Sequence, residues 1–330
     1  VGSSPDSQFL QKRRRGLHRF LNQLVRHPVL VQESVVVTFL SVPTDLATWR
    51  KQAKIDNLIE FKGQKILTDF IEKIWPAISE EFLKDWLTAE ADIAKLIEYW
   101  TKIVLLVERH EKRQQQISFD NQKFSEMLNR FHSCNQSIYP TEAANNQSSN
   151  RSIIASTNTN DVSALNESIT AISEHFVNLR QLLLDDSFTI NSGLLEKFKN
   201  YLDYLYLLQE LFERLKSLSG NNVAELQKRI ADSEQHFAKL SNEDVDIKGS
   251  DLAKLRQSIV NDKQELFQQL NRAWLIKECC FREFLMFQET QYLVSDMWVD
   301  WAKGRNGFQQ KMGGLQESIY ERISADMPTK

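Results

Sequence analysis

The 330-residue chain carries 41 Lys and Arg against 44 Asp and Glu, a formal net charge of −3, which excludes a polycation built to hold nucleic acid. With only 10 Gly and 6 Pro, turn-makers are too few for a strand-rich fold of this length, and long helices are expected. Three cysteines (Cys134, Cys279 and Cys280) show no repeated spacing and supply neither a disulfide framework nor a zinc site.

The charge is unevenly spread. Residues 8–54 hold nine cationic side chains, Lys12 to Lys54, against Glu33 and Asp45, so an anionic partner is expected at that end. Residues 1–7 are polar, with Asp6 or Ser7 placed to cap a helix. That helix, "FLQKRRRGLHRFLNQLVRHP" at 9–28, is predicted to end near Arg26, ahead of Pro28. Its predicted inward row is Phe9, Arg13, Leu17, Phe20 or Leu21, and Leu24, with Lys12, Arg15, Arg19 and Arg26 opposite. Arg13 thus lies in line with apolar residues, where an unpartnered charge is costly. Two readings stand at this point: Arg13 snorkels or pairs with an acid, or it lines a pocket for an anionic, polyhydroxylated head group. On the second reading Arg14, Arg15 and Arg19 help to hold the module on an anionic leaflet.

"SVVVTFL" at 34–40 is a short apolar element, and "TDLATWRKQAK" from Thr44 has the form of a capped helix. "ILTDFIEKIWPAISEEFLKDWL" at 66–87 is amphipathic, with Phe70, Ile71, Ile74, Trp75 and Ile78 on one face and Pro76 marking a kink. That face either inserts at the headgroup boundary or packs as core. A long helix follows at about 88–135, striped by Ile93, Leu96, Trp100, Ile103, Val104, Val107, Ile117, Phe124, Leu128 and Phe131. Its longest pure apolar run, "IVLLV" at 103–107, is too short to span a bilayer. Residues 136–160 lose the periodicity for Ser, Thr, Asn and Gln, the composition of a flexible linker.

A second helix is predicted over about 161–241, with Gly193 and "SGNN" at 219–222 as weak points where it either kinks or breaks. "NEDVDIKG" at 242–249 is a turn. A third helix is predicted over 250–303, ended by "GRNG" at 304–307, with a short tail helix beyond. Lys228, Arg229, Lys239, Lys248, Lys254 and Arg256 flank the turn and are candidates for membrane contact, although such charges are also what a solvated helix face carries. The six histidines are scattered, with no metal-binding or phosphate-loop motif, so no enzyme, cofactor or metal is expected. At about 1.5 Å per residue the second helix alone would reach on the order of 100 Å. Helices of that length with aromatic seams are expected to hide the surplus in an antiparallel dimer.

The N-terminal residues resemble the C-terminal third of a PX domain: Arg13, Leu17, Phe20, His27, Pro28, Phe39 and Leu40 fall where that α+β fold has its Arg-x-x-x-Leu-x-x-Phe helix, His-Pro and short Phe-Leu helix. The Arg-Tyr pair and the Lys that PX domains use for the 3- and 1-phosphates do not occur in this sequence. "AKLIEYWTKIVLLVERHEKRQQQ" and "LLEKFKNYLDYLYLLQELFERL" resemble the first two helices of a BAR domain. The chain is thus identified as a member of the PX-BAR sorting nexins, similar to the fungal vacuolar-sorting group and its animal counterparts. The resemblance implies an all-α, elongated three-helix BAR coiled coil forming an antiparallel dimer. The implied boundaries are 1–55 for the PX part, 56–87 for a linker with an amphipathic helix, and 88–326 for the BAR domain. It also implies that Arg13 binds the inositol hydroxyls of phosphatidylinositol 3-phosphate. The implied function is a curvature-sensing or curvature-generating adaptor on the cytosolic face of endosomes, forming carriers for recycling and vacuolar or Golgi sorting. Its implied partners are a second copy (with higher oligomers open), cargo receptors and a dynamin-like GTPase. A coiled-coil tether that binds lipid without bending it is the alternative.

Overall fold

The computed structural model describes residues 7–41, 80–138, 159–220, 222–242 and 249–328. Helix α1 spans Ser7–Arg26 and α2 Ser34–Ser41, joined through a 3-10 turn at Leu30–Gln32. The longest helix, α3, is Glu80–Ile138; α4 is Thr159–Thr189 and α5 Leu195–Leu218, separated by a π-helical turn at Ile190–Leu194. Then come α6 Val223–Asn242, α7 Gly249–Gln288 and α8 Thr290–Asp326. No strand occurs among the described residues. The chain forms two compact units, Val1–Ala94 with Tyr204–Glu289, and Lys95–Asp203 with Thr290–Lys330.

In the first unit α6 packs along α7, tied by Arg229 donating to Asp262 at 2.9 and 2.5 Å and by Lys263 to Glu234 at 2.5 Å. Its apolar centre is aromatic. Phe82 and Trp86 of α3 meet Phe212 of α5 and Phe281 and Phe284 of α7, with ring centroids 4.2 Å apart for Phe82–Phe281 and 4.7 Å for Trp86–Phe212. Edge-to-face pairs of this kind add about 0.5–1.5 kcal/mol each beyond area burial. The helix expected from about 88 thus already includes the turn carrying Phe82 and Trp86, which anchors it in this unit.

In the second unit Val104, Val107, Ile190, Leu195, Phe198 and Met297 form a buried cluster, with Trp100, Val294 and Trp301 packed on it. Trp100 stacks on Phe198 and donates its Nε1–H to the Phe198 carbonyl at 2.9 Å. The π-turn contains Gly193, one of the predicted weak points, and its Ile190 is fully buried. The other weak point, 219–222, separates α5 from α6.

Two sequence expectations are corrected. Residues 304–307 do not end the third helix, which breaks instead at Glu289 and continues as α8 to Asp326. Gly304 and Gly307 cost helix propensity, but Arg305 between them is clamped to Asp186 and Phe308 is buried, and this packing outweighs two glycines. The stripe read on α3 is also two stripes. Val104 and Val107 face inward, whereas Leu96, Ile117, Phe124 and Phe131 are exposed.

Candidate membrane and self-association surfaces

The two stripes of α3 define the first surface. The seam buried inside the chain continues from Val104 and Val107 through Glu111, Gln114, Ser118, Asn121, Ser125 and Asn135, so its distal half is polar. Most of these side chains are engaged locally. Ser125 and Ser173 hydroxyls lie 2.9 Å apart, and Asn135 Nδ2 donates to Asn166 Oδ1 at 3.0 Å. The Glu111 carboxylate accepts from Ser187 at 2.7 Å and Gln115 at 2.6 Å. Beside them Arg305 donates to both carboxylate oxygens of the buried Asp186, one at 2.9 Å, and lies 3.4 Å from His110. Burial and then the adjacent Arg305 charge hold the His110 pKa below its ordinary value.

The second seam runs outward. Leu96, Tyr99, Leu106, Ile117, Phe124, Phe131 and Ile138 share heptad-related positions and are exposed, from 48% at Leu96 to 68% at Ile138. Phe124 stacks on Phe176 at 4.9 Å and still shows more than half its surface. Small polar residues inside and large apolar residues outside invert the usual arrangement. Such an outward heptad stripe has the form of a helix-pairing surface and is left largely open by the described residues. The sequence did signal the inner seam, since its 3–4 spacing continues unbroken. Hydrophobicity alone merged the two rows, taking Ile93, Val104 and Val107 together with the exposed Leu96, Ile117, Phe124 and Phe131.

The second surface is the α1–α2 region. Here the expected orientation of α1 holds only in part: Leu21 and Leu24 of the expected inward row are half-buried and Lys12 and Arg26 are exposed, but the rest of the helix departs from it. Phe9, Leu17, Phe20 and Arg13 are exposed, while Arg15 and Arg19 are half-buried. Arg13 places its guanidinium 5.1 Å from the Phe9 ring centroid, and Arg14 is exposed. The cause lies at the end of the helix. His27 Nδ1 accepts the backbone N–H of Val29 at 3.2 Å and of Leu30 at 3.1 Å, so Nε2 holds the proton and donates to Glu283 of α7 at 2.9 Å. This clasp fixes which side of α1 turns inward. Beyond the 3-10 turn, exposed Val35, Val37, Phe39 and Leu40 of α2 extend the apolar surface.

The remaining candidates divide. Lys228, Lys239 and Arg256 are exposed, whereas Arg229 is engaged by Asp262 and Lys254 lies 3.4 Å from Asp251. Lys248 and the amphipathic set Phe70, Ile71, Ile74, Trp75 and Ile78 lie outside the described residues. Among the described residues no His, Cys, Asp and Glu cluster could hold a metal ion, and no helix is long and apolar enough to cross a membrane.

Comparison with known proteins agrees with this architecture. The family model described as the sorting nexin 8/Mvp1 BAR domain matches residues 55–328, and the PX domain model matches residues 2–43. Sorting nexin MVP1 of Candida albicans is 55% identical over 344 residues, covering 99% of this chain and 46% of that protein. Sorting nexin MVP1 of Saccharomyces cerevisiae is 34% identical over 332 residues, covering 99% and 60%. The chain therefore spans about half the length of these curated relatives. A solved cryo-EM structure, that of the SNX-BAR Mvp1 tetramer, superposes with a TM-score of 0.74 at 33% identity, covering 97% of this chain and 81% of that one. With its all-α BAR fold and its PX-type N-terminal helices, the chain belongs to the sorting nexin 8/Mvp1 family.

Proposed function

We propose that this chain is the self-associating, membrane-binding part of a non-catalytic sorting adaptor that recognises phosphatidylinositol 3-phosphate on endosomes and shapes the membrane into carriers. The outward seam of α3 is the observation that carries the reading. Seven large apolar side chains spread over 96–138 need a cover, and a second copy supplies a matching stripe with closed two-fold symmetry. Pairing doubles every lipid contact, so weak contacts add by avidity. Arg13, exposed at the outer side of α1 with Phe9, is available to inositol hydroxyls there. Arg14 supplies an accompanying surface charge, and Lys228, Lys239 and Arg256 on α6 and α7 offer others. The resemblance to sorting nexins supports cargo receptors and a dynamin-like GTPase as partners in forming and cutting carriers. The tetrameric state of the superposed Mvp1 structure supports assembly beyond the dimer.

The test is negative-stain microscopy of the protein on phosphatidylinositol 3-phosphate vesicles, with its mass in solution measured by light scattering. Coated tubules and a mass of two or four chains are the expected result. Clustered, undeformed vesicles would make the protein a tether, and a monomeric mass would remove the basis of the proposal.

A further inference from the structure

The end of α5 presents two serine hydroxyls that the proposed function does not use. Ser217 lies in the last turn of the helix and Ser219 just beyond it, both exposed, ahead of the break that leads to α6. We propose that this pair is a phosphate-acceptor site for a basophilic serine/threonine kinase, and that the phosphate unlocks the end of α5. Cations at fixed spacing select the enzyme class. Arg214 precedes Ser217 by three residues; Lys216 precedes Ser219 by three, with Arg214 two further back. Both cations are exposed, and Glu213 is the only acid within 211–222. A cleft lined with carboxylates pairs with a guanidinium or ammonium held at that distance from the acceptor. Ser133 also follows an arginine, Arg130, by three, but it sits inside α3, which continues to Ile138. A cleft that takes an extended segment draws one from a fraying helix end at small cost, whereas an interior turn must open on both sides. In the transfer the serine Oγ attacks the γ-phosphorus of ATP. The Oγ–P bond forms, the bond from that phosphorus to the ADP oxygen breaks, and the hydroxyl proton passes to the kinase's catalytic carboxylate.

The local geometry dictates the effect. Ser217 Oγ–H donates to the Arg214 carbonyl and Ser219 Oγ–H to the Lys216 carbonyl, each at 2.9 Å. The Lys216 carbonyl is among the last four of α5, which the helix itself leaves without a donor, so Ser219 acts as a side-chain cap. A phosphate dianion has no proton to give. It also brings a charge of about −1.5 to −2 to the helix end where the aligned peptide dipoles are already negative. The same oxygen thus turns from a cap into a source of repulsion. A phosphate at 219 also competes for Lys216, one turn back on the same face, whose ammonium lies 2.6 Å from Glu90 of α3. The other side of the break stays pinned, because the Gln269 side chain of α7 accepts the Asn222 N–H at 3.1 Å. Phosphorylation would therefore loosen the α5 side of the joint and leave the α6 side in place.

The experiment needs no lipid, so it succeeds or fails apart from the membrane reading. The 330-residue chain and its Ser217→Ala, Ser219→Ala variant are incubated with magnesium ATP and the catalytic domain of calcium/calmodulin-dependent protein kinase II, a probe that selects arginine three residues before the acceptor. Mass spectrometry locates the phosphate, and amide hydrogen exchange follows the Ser219 N–H, which donates to the Leu215 carbonyl at 2.9 Å. Phosphate is expected on Ser217 or Ser219 of the parent, with exchange of that amide about tenfold faster and exchange in α8 unchanged. The double variant should show no kinase-dependent change at this joint, and its circular dichroism should match the parent, since both side chains are exposed. Phosphate found only at other residues would overturn the proposal. Phosphate at this pair with exchange of the Ser219 amide unaltered would overturn it as well, because the end of α5 would then be indifferent to the charge.

Discussion

Replacing Arg305 by Met tests how much of the second unit depends on a single buried charge pair. The Asp186 side chain is 7% exposed and that of Arg305 20%, so water cannot compensate either partner. Arg305 also lies 5.4 Å from the ring centroids of both Trp301 and Phe308. Met keeps much of that aliphatic packing but strands the Asp186 carboxylate, with His110 as its remaining polar neighbour across the gap. Stranding one member of a buried pair costs about 3–5 kcal/mol. For a cooperative unit of about 150 residues this lowers Tm by on the order of 10 °C. The double variant Asp186→Leu, Arg305→Met removes both desolvated groups and should recover most of the loss, since apolar substitutes for a buried pair are often neutral. Urea unfolding followed by circular dichroism, at fixed protein concentration because assembly contributes, measures all three proteins. A single variant costing less than about 1 kcal/mol, or a double variant no better than the single, would refute the reasoning.

Phe124→Glu with Phe131→Glu places charges in the outward seam; the mass by light scattering should fall to one chain, and a mass unchanged at micromolar concentration would place the dimer contact elsewhere. Because burial and Arg305 hold the folded His110 pKa below its ordinary value of 6.5, the unfolded chain takes up the proton first on acidification. Stability is then lost as pH falls through 6.5 toward the lower folded value, and thermal melts from about pH 7.5 to 5 should show a shallower decline in His110→Gln. The half-buried His175 shifts in the same direction and should account for part of what remains. Gly304→Ala and Gly307→Ala meet no atom within 4 Å of the new Cβ and should each raise stability by about 0.5–1 kcal/mol, read as a higher urea midpoint.

Periodicity made the helical class of this chain legible, because the inward positions of α4 and α5, such as Leu179, Leu183, Leu205 and Phe212, are both apolar and buried. The same reasoning failed where polarity and burial part company. Glu111, Gln114 and Ser118 look like surface positions by composition, and only their register with Val104 and Val107 places them inside. Glycine misled for a different reason: "GRNG" is a stop signal locally, and the Arg305 clamp that overrides it comes from Asp186, 119 positions away. The basis of the α1 orientation was likewise nonlocal. His27 was visible as part of a motif, but nothing near it in sequence announces Glu283. Charge patterning pointed to residues flanking the 242–249 turn, yet pairing partners such as Asp262 for Arg229 emerge only from the packing of α6 on α7.

The hydroxyl and amide groups lining the inner side of α3 hold the neighbouring helix by direction more than by grip. Ser125 opposite Ser173 and Asn135 opposite Asn166 each accept one alignment, so a slip of one heptad, which a leucine row would tolerate, leaves these groups unsatisfied. A protein engineer who filled this row with leucine would obtain a tougher chain that has lost its ruler.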